Sequence, residues 1–374
     1  MKINILSPGR FHVCDLAREL NANGFDVRFY SFVPNKRAMK FGLPKECACS
    51  VFFWILPFIA LERLSHRKRW ATNIRRKMQD FVTSIIMRKC DIIIAMTGNF
   101  EMSIKRAKKE GAVFIAERGS KHILEQKRIL EETWKITNSN CTFDEVAVKR
   151  ELWDYERADY ISIASENVKR SFLKHSFPED KLVLNPYGVD LSSFYPTNTK
   201  EKEFDVIMVG GWGVRKGCDL IVNALKDTNL KFLHVGGIVD LAFPELPNFS
   251  HVDPVEQKKL VEYYHKAKVF VLPSREDGFG MVLSQAVACN LPVVASIDTG
   301  GPDLKEMVKD PDCITIIDSY TPKSVKEAID KAIEIADNMG DKIYAGDSLS
   351  KLTWQAYGER YAAFLNTLPC SNNH

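Results

Sequence analysis

Two short segments hold the residue types that could bind and activate an anionic leaving group. One is Asp277-Gly278-Phe279-Gly280, with Gln285 eight positions after Asp277 and Thr299-Gly300-Gly301 beyond it. The other runs Gly210-Gly211-Trp212-Gly213-Val214-Arg215-Lys216-Gly217. Glycine lets a backbone approach a phosphate closely and point its N–H groups at it. Arg215 offers a forked, bidentate cation and Lys216 a compact point charge, a combination suited to a diphosphate. The Asp277 carboxylate can accept hydrogen bonds, and the Gln285 amide can both accept and donate them.

The elements around these segments follow from apolar periodicity. Residues 269–272 form a strand-type run ended by Pro273, and Val282, Leu283, Ala286, Val287 and Cys289 give a helical face. Residues 292–295 are strand-like again. Residues 204–209 form a strand before the Gly210 segment. In an alternating α/β layout such turns lie at the carboxyl ends of parallel strands, where ligands are held near helix N-termini. The first half repeats the theme: a strand at 3–6, then a helix at 11–23 with Val13, Leu16, Ala17 and Leu20 on its apolar face and Gly24 as its stop. Pro8-Gly9-Arg10-Phe11-His12 occupies the first ligand loop but is not GxGxxG, so a nicotinamide fingerprint is absent. Cys218 after Gly217 rules out a Walker A loop.

Further strands are expected at 92–96, 112–116, 158–163, 182–184 and 230–235, with Ser165 capping a helix at 166–174. Helices are expected at 255–266, 321–337 and 349–368. In the last of these Trp354, Tyr357, Tyr361 and Phe364 share one side as packing residues. Asp310-Pro311-Asp312 looks like a DxD metal motif, but it lies far from the glycine turns and no metal is expected.

With Asp277, the GFG turn, Gln285 and Pro292-Val293-Val294, the chain resembles the retaining, nucleotide-sugar-dependent glycosyltransferases of family 4. Lys216-Gly217 and Asn185-Pro186-Tyr187-Gly188-Val189-Asp190 with Phe194 and Pro196 extend the resemblance over nearly the whole chain. It departs from the family pattern in three places: Asp277 and Gln285 stand where two Glu are usual, and Gly211 where an Arg is usual. The resemblance implies a GT-B fold, with two Rossmann-like doubly wound α/β domains across a cleft. These would be 1–187 with about 355–374 crossing back, and 188–354. It implies a nucleoside-diphosphate sugar, UDP- or GDP-linked, as donor substrate with no separate cofactor. Gly9, Arg215, Lys216, Val252, Asp277, Gly278, Phe279, Gly280, Gln285, Thr299, Gly300 and Gly301 would bind the donor, and His122, Asp277 and Lys216 would be catalytic. Arg10, His12, Glu117 and Arg118 are acceptor-side candidates, Glu117 and Arg118 being equally able to pair with each other. A catalytically weak binding subunit, or a nucleotide-sugar epimerase on the same architecture, stays open beside the transferase.

Bulk properties agree with about two soluble domains: 374 residues, 45% hydrophobic and 27% charged. The net charge of +4 is uneven. Through Asp190 there are 33 Lys and Arg against 23 Asp and Glu, and afterwards 19 against 25. Nine cysteines without a CxxC pair point to reduced thiols in a cytoplasmic chain, and residues 1–6 are too short an apolar run for a signal peptide. Residues 51–60 are apolar but short of a bilayer span. Residues 63–77 are strongly basic, and Trp70, Ile74, Met78, Phe81 and Val82 share a helical face. Residues 51–80 therefore either dock on an anionic membrane or turn that face to the core; the resemblance implies a lipid-linked or glycan acceptor. No aromatic-studded strand accompanies the charge, so nucleic acid is not expected.

Overall fold

Unbroken runs such as Ile92-Ile93-Ile94-Ala95 and Val269-Phe270-Val271-Leu272 suit strands covered on both faces, and every one of these residues is buried. The computed structural model describes residues 1–136, 142–197, 201–308, 311–339 and 346–368. The first sheet contains β1 (Lys2–Leu6), β2 (Asp26–Ser31), β3 (Ala48–Ser50), β4 (Ile92–Met96), β5 (Val113–Arg118), β6 (Tyr160–Ile163) and β7 (Leu182–Leu184). Their order is β3-β2-β1-β4-β5-β6-β7. The second sheet contains β8 (Phe204–Val209), β9 (Phe232–Val235), β10 (Phe249–Val252), β11 (Ala267–Leu272), β12 (Val293–Ser296) and β13 (Ile314–Ile317), in the order β10-β9-β8-β11-β12-β13. All pairings are parallel, with Ile5 opposite Ile94 in the first sheet and Val269 opposite Val206 in the second.

The chain leaves β1 and β8 toward one edge of their sheets and returns on the other side as β4 and β11. The loops after these strands therefore diverge and leave a crevice, the place where open α/β sheets hold ligands. The last helix, Trp354–Thr367, is capped by Thr353 and packs on the first domain. Asn185 Nδ2 donates to the Tyr357 carbonyl at 3.1 Å, and Arg360 reaches the Pro186 carbonyl at 2.8 Å. Gly358 lies against Glu19, where a Cβ would come within 3.1 Å of Cγ.

Some elements carry little periodic signal. Asp26–Ser31 interleaves charges with apolar residues, Ala48–Ser50 has three residues, and Glu145–Arg157 is mostly polar. The helix expected at 255–266 is confined to Leu260–His265 after a 3-10 turn, because Glu256 is extended (ψ 141). Asp310 and residues 369–374 lie outside the described residues, as do residues 198–200 of the interdomain connection.

Residues 51–86 form a helical hairpin, Phe52–Leu64 and Arg69–Ile86. The core-facing alternative for its apolar face is overturned. The residues of the second helix turned inward are Ala71, Arg75, Gln79, Asp80 and Thr83, while Trp70, Ile74, Phe81, Ile85 and Ile86 are exposed. In the first helix only Ile55 is buried, and Phe53 and Trp54 are 82% and 67% exposed. The buried polar side chains explain the inversion. Asp80, for example, accepts from the Met102 and Ser103 amides at 2.8 and 3.0 Å, so it caps the neighbouring helix Glu101–Lys109.

Candidate functional site

The loops after β8, β11 and β12 meet at one end of the second sheet. Gly217 adopts φ 73, and a side chain there would strike the Pro273 carbonyl; only glycine permits this contact. Arg275 ties the two loops together: its amide donates to the Arg215 carbonyl at 2.9 Å and its guanidinium to the Val214 carbonyl at 2.6 Å. Asp219 holds that guanidinium at 2.7 Å.

Lys216 and Asp277, expected to serve one site, form an ion pair. Beside them Arg215 Nη1 lies 2.8 Å from Glu276 Oε2, and Glu276 is completely buried. Burial pushes the Asp277 carboxyl up, but Lys216 and Arg215 outweigh it and hold the group below the usual carboxylate range. Gly280, at φ 78, opens the helix Met281–Ala288. On that helix the amide of Gln285 accepts from the Tyr264 hydroxyl at 3.0 Å through Oε1. Thus Arg215, Lys216 and the Asp277–Gly280 turn are brought together, as their spacing predicts.

The third loop corrects an expectation. Thr299-Gly300-Gly301 sits against the same turn, but its amides are spent internally. Thr299 N–H donates to the Ser296 carbonyl, Gly300 N–H to the Phe279 carbonyl at 2.7 Å, and Gly301 N–H to Thr299 Oγ1 at 3.0 Å. This loop braces the turn rather than offering donors. Val252 likewise gives its carbonyl to the Gly236 amide at 2.9 Å and presents only a half-buried side chain.

On the first domain, successive residues of β5 point to opposite faces, so Glu117 and Arg118 separate instead of pairing. Glu117 meets His12 Nε2 at 2.9 Å, and the His12 ring lies 4.2 Å from that of Tyr187. Arg118 turns inward to Glu151 at 2.8 Å and to the Lys121 carbonyl. Gly9 lies beside Phe32, and Arg10 stacks 3.6 Å over Phe41 and reaches Gln257 of the second domain at 3.4 Å. His122 is the clearest correction. Its ring is enclosed by Tyr155, Phe172 and His175, stacked on the last at 4.3 Å, all within the first domain. Burial, then the neighbouring His175 and Arg118, push it down to about 3. Its ring packs among side chains of its own domain, and burial disfavours its protonated form.

Residues that sequence reasoning passed over join the domains. Lys121, next to His122, pairs with Asp298, which also accepts from the Tyr320 hydroxyl. Ser165 Oγ donates to the Gly278 carbonyl, and Asn167 Nδ2 to the Asp277 carbonyl at 3.3 Å. Asp303 accepts from the Glu166 amide at 2.9 Å, so a carboxylate of one domain caps a helix of the other. Gly119 and Gly278 touch backbone to backbone across the cleft. Only the Ser165 cap carried a local signal; the contacts between the domains join residues more than a hundred positions apart.

Residues 193–345 match the family model described as glycosyl transferases group 1. An uncharacterized glycosyltransferase of Methanocaldococcus jannaschii is 30% identical over 141 residues, 35% of this chain and 38% of that protein. The alignments span about two fifths of the first curated relatives, 38%, 40% and 46% of their lengths. Sucrose-phosphate synthase from Thermosynechococcus elongatus superposes with a TM-score of 0.68 at 17% identity, covering 98% of both chains. Anabaena HepE, solved with UDP-glucose, gives 0.62 at 13% identity, covering 98% of this chain and 100% of its own. The architecture shared with these structures is GT-B.

Proposed function

We propose that this chain, similar through residues 193–345 to the group 1 glycosyl transferases and GT-B in fold, moves a sugar from a UDP- or GDP-sugar to an acceptor hydroxyl with retention of configuration, as family 4 enzymes do. One observation carries the reading. Two adjacent cations, Arg215 and Lys216, stand beside the Asp277–Gly280 turn at the point where β8 and β11 diverge. Breaking the anomeric C–O bond puts negative charge on the departing diphosphate. Lys216 and Arg215 would exchange their carboxylate partners for it, a fixed electrostatic contact of the kind that supplies about 10²–10³ in rate. No metal ion is invoked. The leaving phosphate oxygen takes the acceptor proton as the acceptor oxygen bonds to the same face of the sugar. Asp277, released by Lys216, is then available to sugar hydroxyls.

The acceptor we favour is lipid-linked, an intermediate of cell-surface polysaccharide or glycolipid synthesis at the cytoplasmic face of the membrane. The hairpin of residues 52–86 supports this: its outward face carries Phe53, Trp54, Leu64, Trp70, Phe81 and Ile85, and its tip exposes Arg67, Lys68 and Arg69. Each cation near an anionic surface contributes about 1 kcal/mol. Among the described residues no helix is long and apolar enough to cross a membrane, so the contact would be peripheral. Sedimentation with phosphatidylglycerol vesicles tests it: the Phe53→Asp/Trp54→Asp protein should stay in the supernatant while the unaltered chain pellets.

A second reading, a binding subunit with little turnover, draws support from the same ion pairs, since both cations already have carboxylate partners. Incubation with UDP-, GDP- and ADP-sugars plus lipid extract separates the two. Nucleotide release that disappears in Lys216→Ala supports transfer, and an altered sugar without release would indicate epimerisation. Binding without release from any donor would favour the subunit.

A further inference from the structure

Arg75 and Gln79 lie on the inward face of the hairpin, only 7% and 1% exposed, where a helix ordinarily places apolar residues. Buried polar groups of this kind are expensive unless bonded, so their partners show what they hold. Glu62 of the first hairpin helix receives Arg75 Nε at 2.6 Å and the Thr72 hydroxyl at 2.7 Å. Arg75 Nη1 then donates to Gln79 Oε1 at 3.3 Å. Because its oxygen faces Arg75, the Gln79 amide nitrogen points the other way, and Nε2 donates to the Ser7 carbonyl at 2.8 Å. Ser7 closes the start of the ligand loop on itself, its hydroxyl donating to the Gly9 carbonyl at 2.7 Å. A second route reaches the same place: the Arg75 guanidinium lies 5.0 Å over the Phe32 ring, which stands 3.5 Å from where a Gly9 Cβ would be.

We infer that Gln79, oriented by Arg75, is a positioning residue for the loop Ser7–His12, so that the outward-facing hairpin and the cleft loop are set by one chain of hydrogen bonds, Glu62–Arg75–Gln79–Ser7. The inference deepens the transferase reading, because the loop matters to catalysis only if the cleft binds donor and acceptor. The hairpin then does two jobs with its two faces. The outer one meets the surface that presents the acceptor, and the inner one fixes the backbone that carries Gly9, Arg10 and His12.

The test uses the full chain with Gln79→Glu and Gln79→Leu. Glutamate keeps the size and the acceptor for Arg75 but loses the donor to Ser7; leucine removes both polar ends at similar volume. The readouts are hydrogen exchange at the amides of Ser7 and Gly9, which donate to the Tyr30 carbonyl and to Ser7 Oγ, UDP and GDP binding by calorimetry, and nucleotide release from UDP-glucose and GDP-mannose. Both variants are expected to exchange these amides at least tenfold faster and to bind nucleotide with unchanged affinity. Where the unaltered chain turns over, kcat should fall at least tenfold. An exchange pattern and kcat equal to those of the unaltered chain in the Glu variant would overturn the positioning role. If Glu fails to fold, Leu with unaltered exchange does the same. Should the unaltered chain release no nucleotide, the transferase reading fails, and the exchange measurement still decides whether Gln79 holds the loop.

Discussion

The substitution Gly278→Ala isolates the approach of the two domains. Gly278 has no left-handed backbone requirement, so alanine brings no torsional strain. Its Cβ, however, would lie 2.6 Å from the Gly119 carbonyl carbon, closer still to that oxygen, and 3.1 Å from Ser120 Cα. Carbon atoms settle at about 3.5–4.0 Å, and the obstacle is backbone of the opposite domain rather than a side chain that can rotate. The domains must separate there by roughly 1 Å or more. That displacement would weaken the Ser165–Gly278, Asn167–Asp277 and Glu166–Asp303 hydrogen bonds and the Lys121–Asp298 pair. At about 1 kcal/mol per hydrogen bond, the closed arrangement loses on the order of 3–4 kcal/mol. Misplacement by 1 Å costs about 10²-fold in rate, so nucleotide release should fall by about that factor. Each sheet keeps its own packing, and the thermal midpoint should change little by comparison. Small-angle scattering should report a larger radius of gyration, and turnover with a donor such as UDP-glucose gives the second measurement. Turnover within threefold of the unaltered chain together with unchanged scattering would refute the reasoning.

Burial raises the Asp303 carboxyl to about 6, only partly countered by the Glu166 amide. Its folded pKa lies above the unfolded value, so its contribution to stability is greatest below pH 3.8 and declines as pH rises to about 6, by up to roughly 3 kcal/mol. Asp303→Asn should flatten that part of the stability–pH curve in urea titrations, and an unchanged slope between pH 4 and 6 would count against it. His122→Phe should keep turnover within about threefold, because the ring packs against Tyr155, Phe172 and His175 and a phenyl group preserves about 1 kcal/mol of aromatic contact. His12→Phe, which strands Glu117 without its 2.9 Å partner, should lower turnover at least tenfold in the same assay. Equal effects of the two histidine substitutions would show that His12 has no special place in the cleft.

Local pattern sufficed wherever a residue's role depends on its neighbours in the chain. Apolar runs marked β4 and β11, Ser165 marked a helix start, and the glycines with Arg215-Lys216 marked a loop that folds beside Asp277. The amphipathic spacing of Trp70, Ile74 and Phe81 was equally legible, but spacing defines a face without saying which way it turns. Arg75, Gln79 and Asp80 decided that direction, because their partners Glu62, Ser7 and Ser103 arrive through the fold. The same limit explains His122, whose enclosure by Tyr155, Phe172 and His175 cannot be read from Lys121-His122. It also explains the Gly300 amide, which glycine spacing suggested was free and which the Phe279 carbonyl occupies. By itself the sequence determined two parallel-sheet halves and the loops that could bind an anion. Only the tertiary structure decided which donors in those loops are spent and which face outward, since hydrogen bonds and burial are settled by groups far apart in the chain.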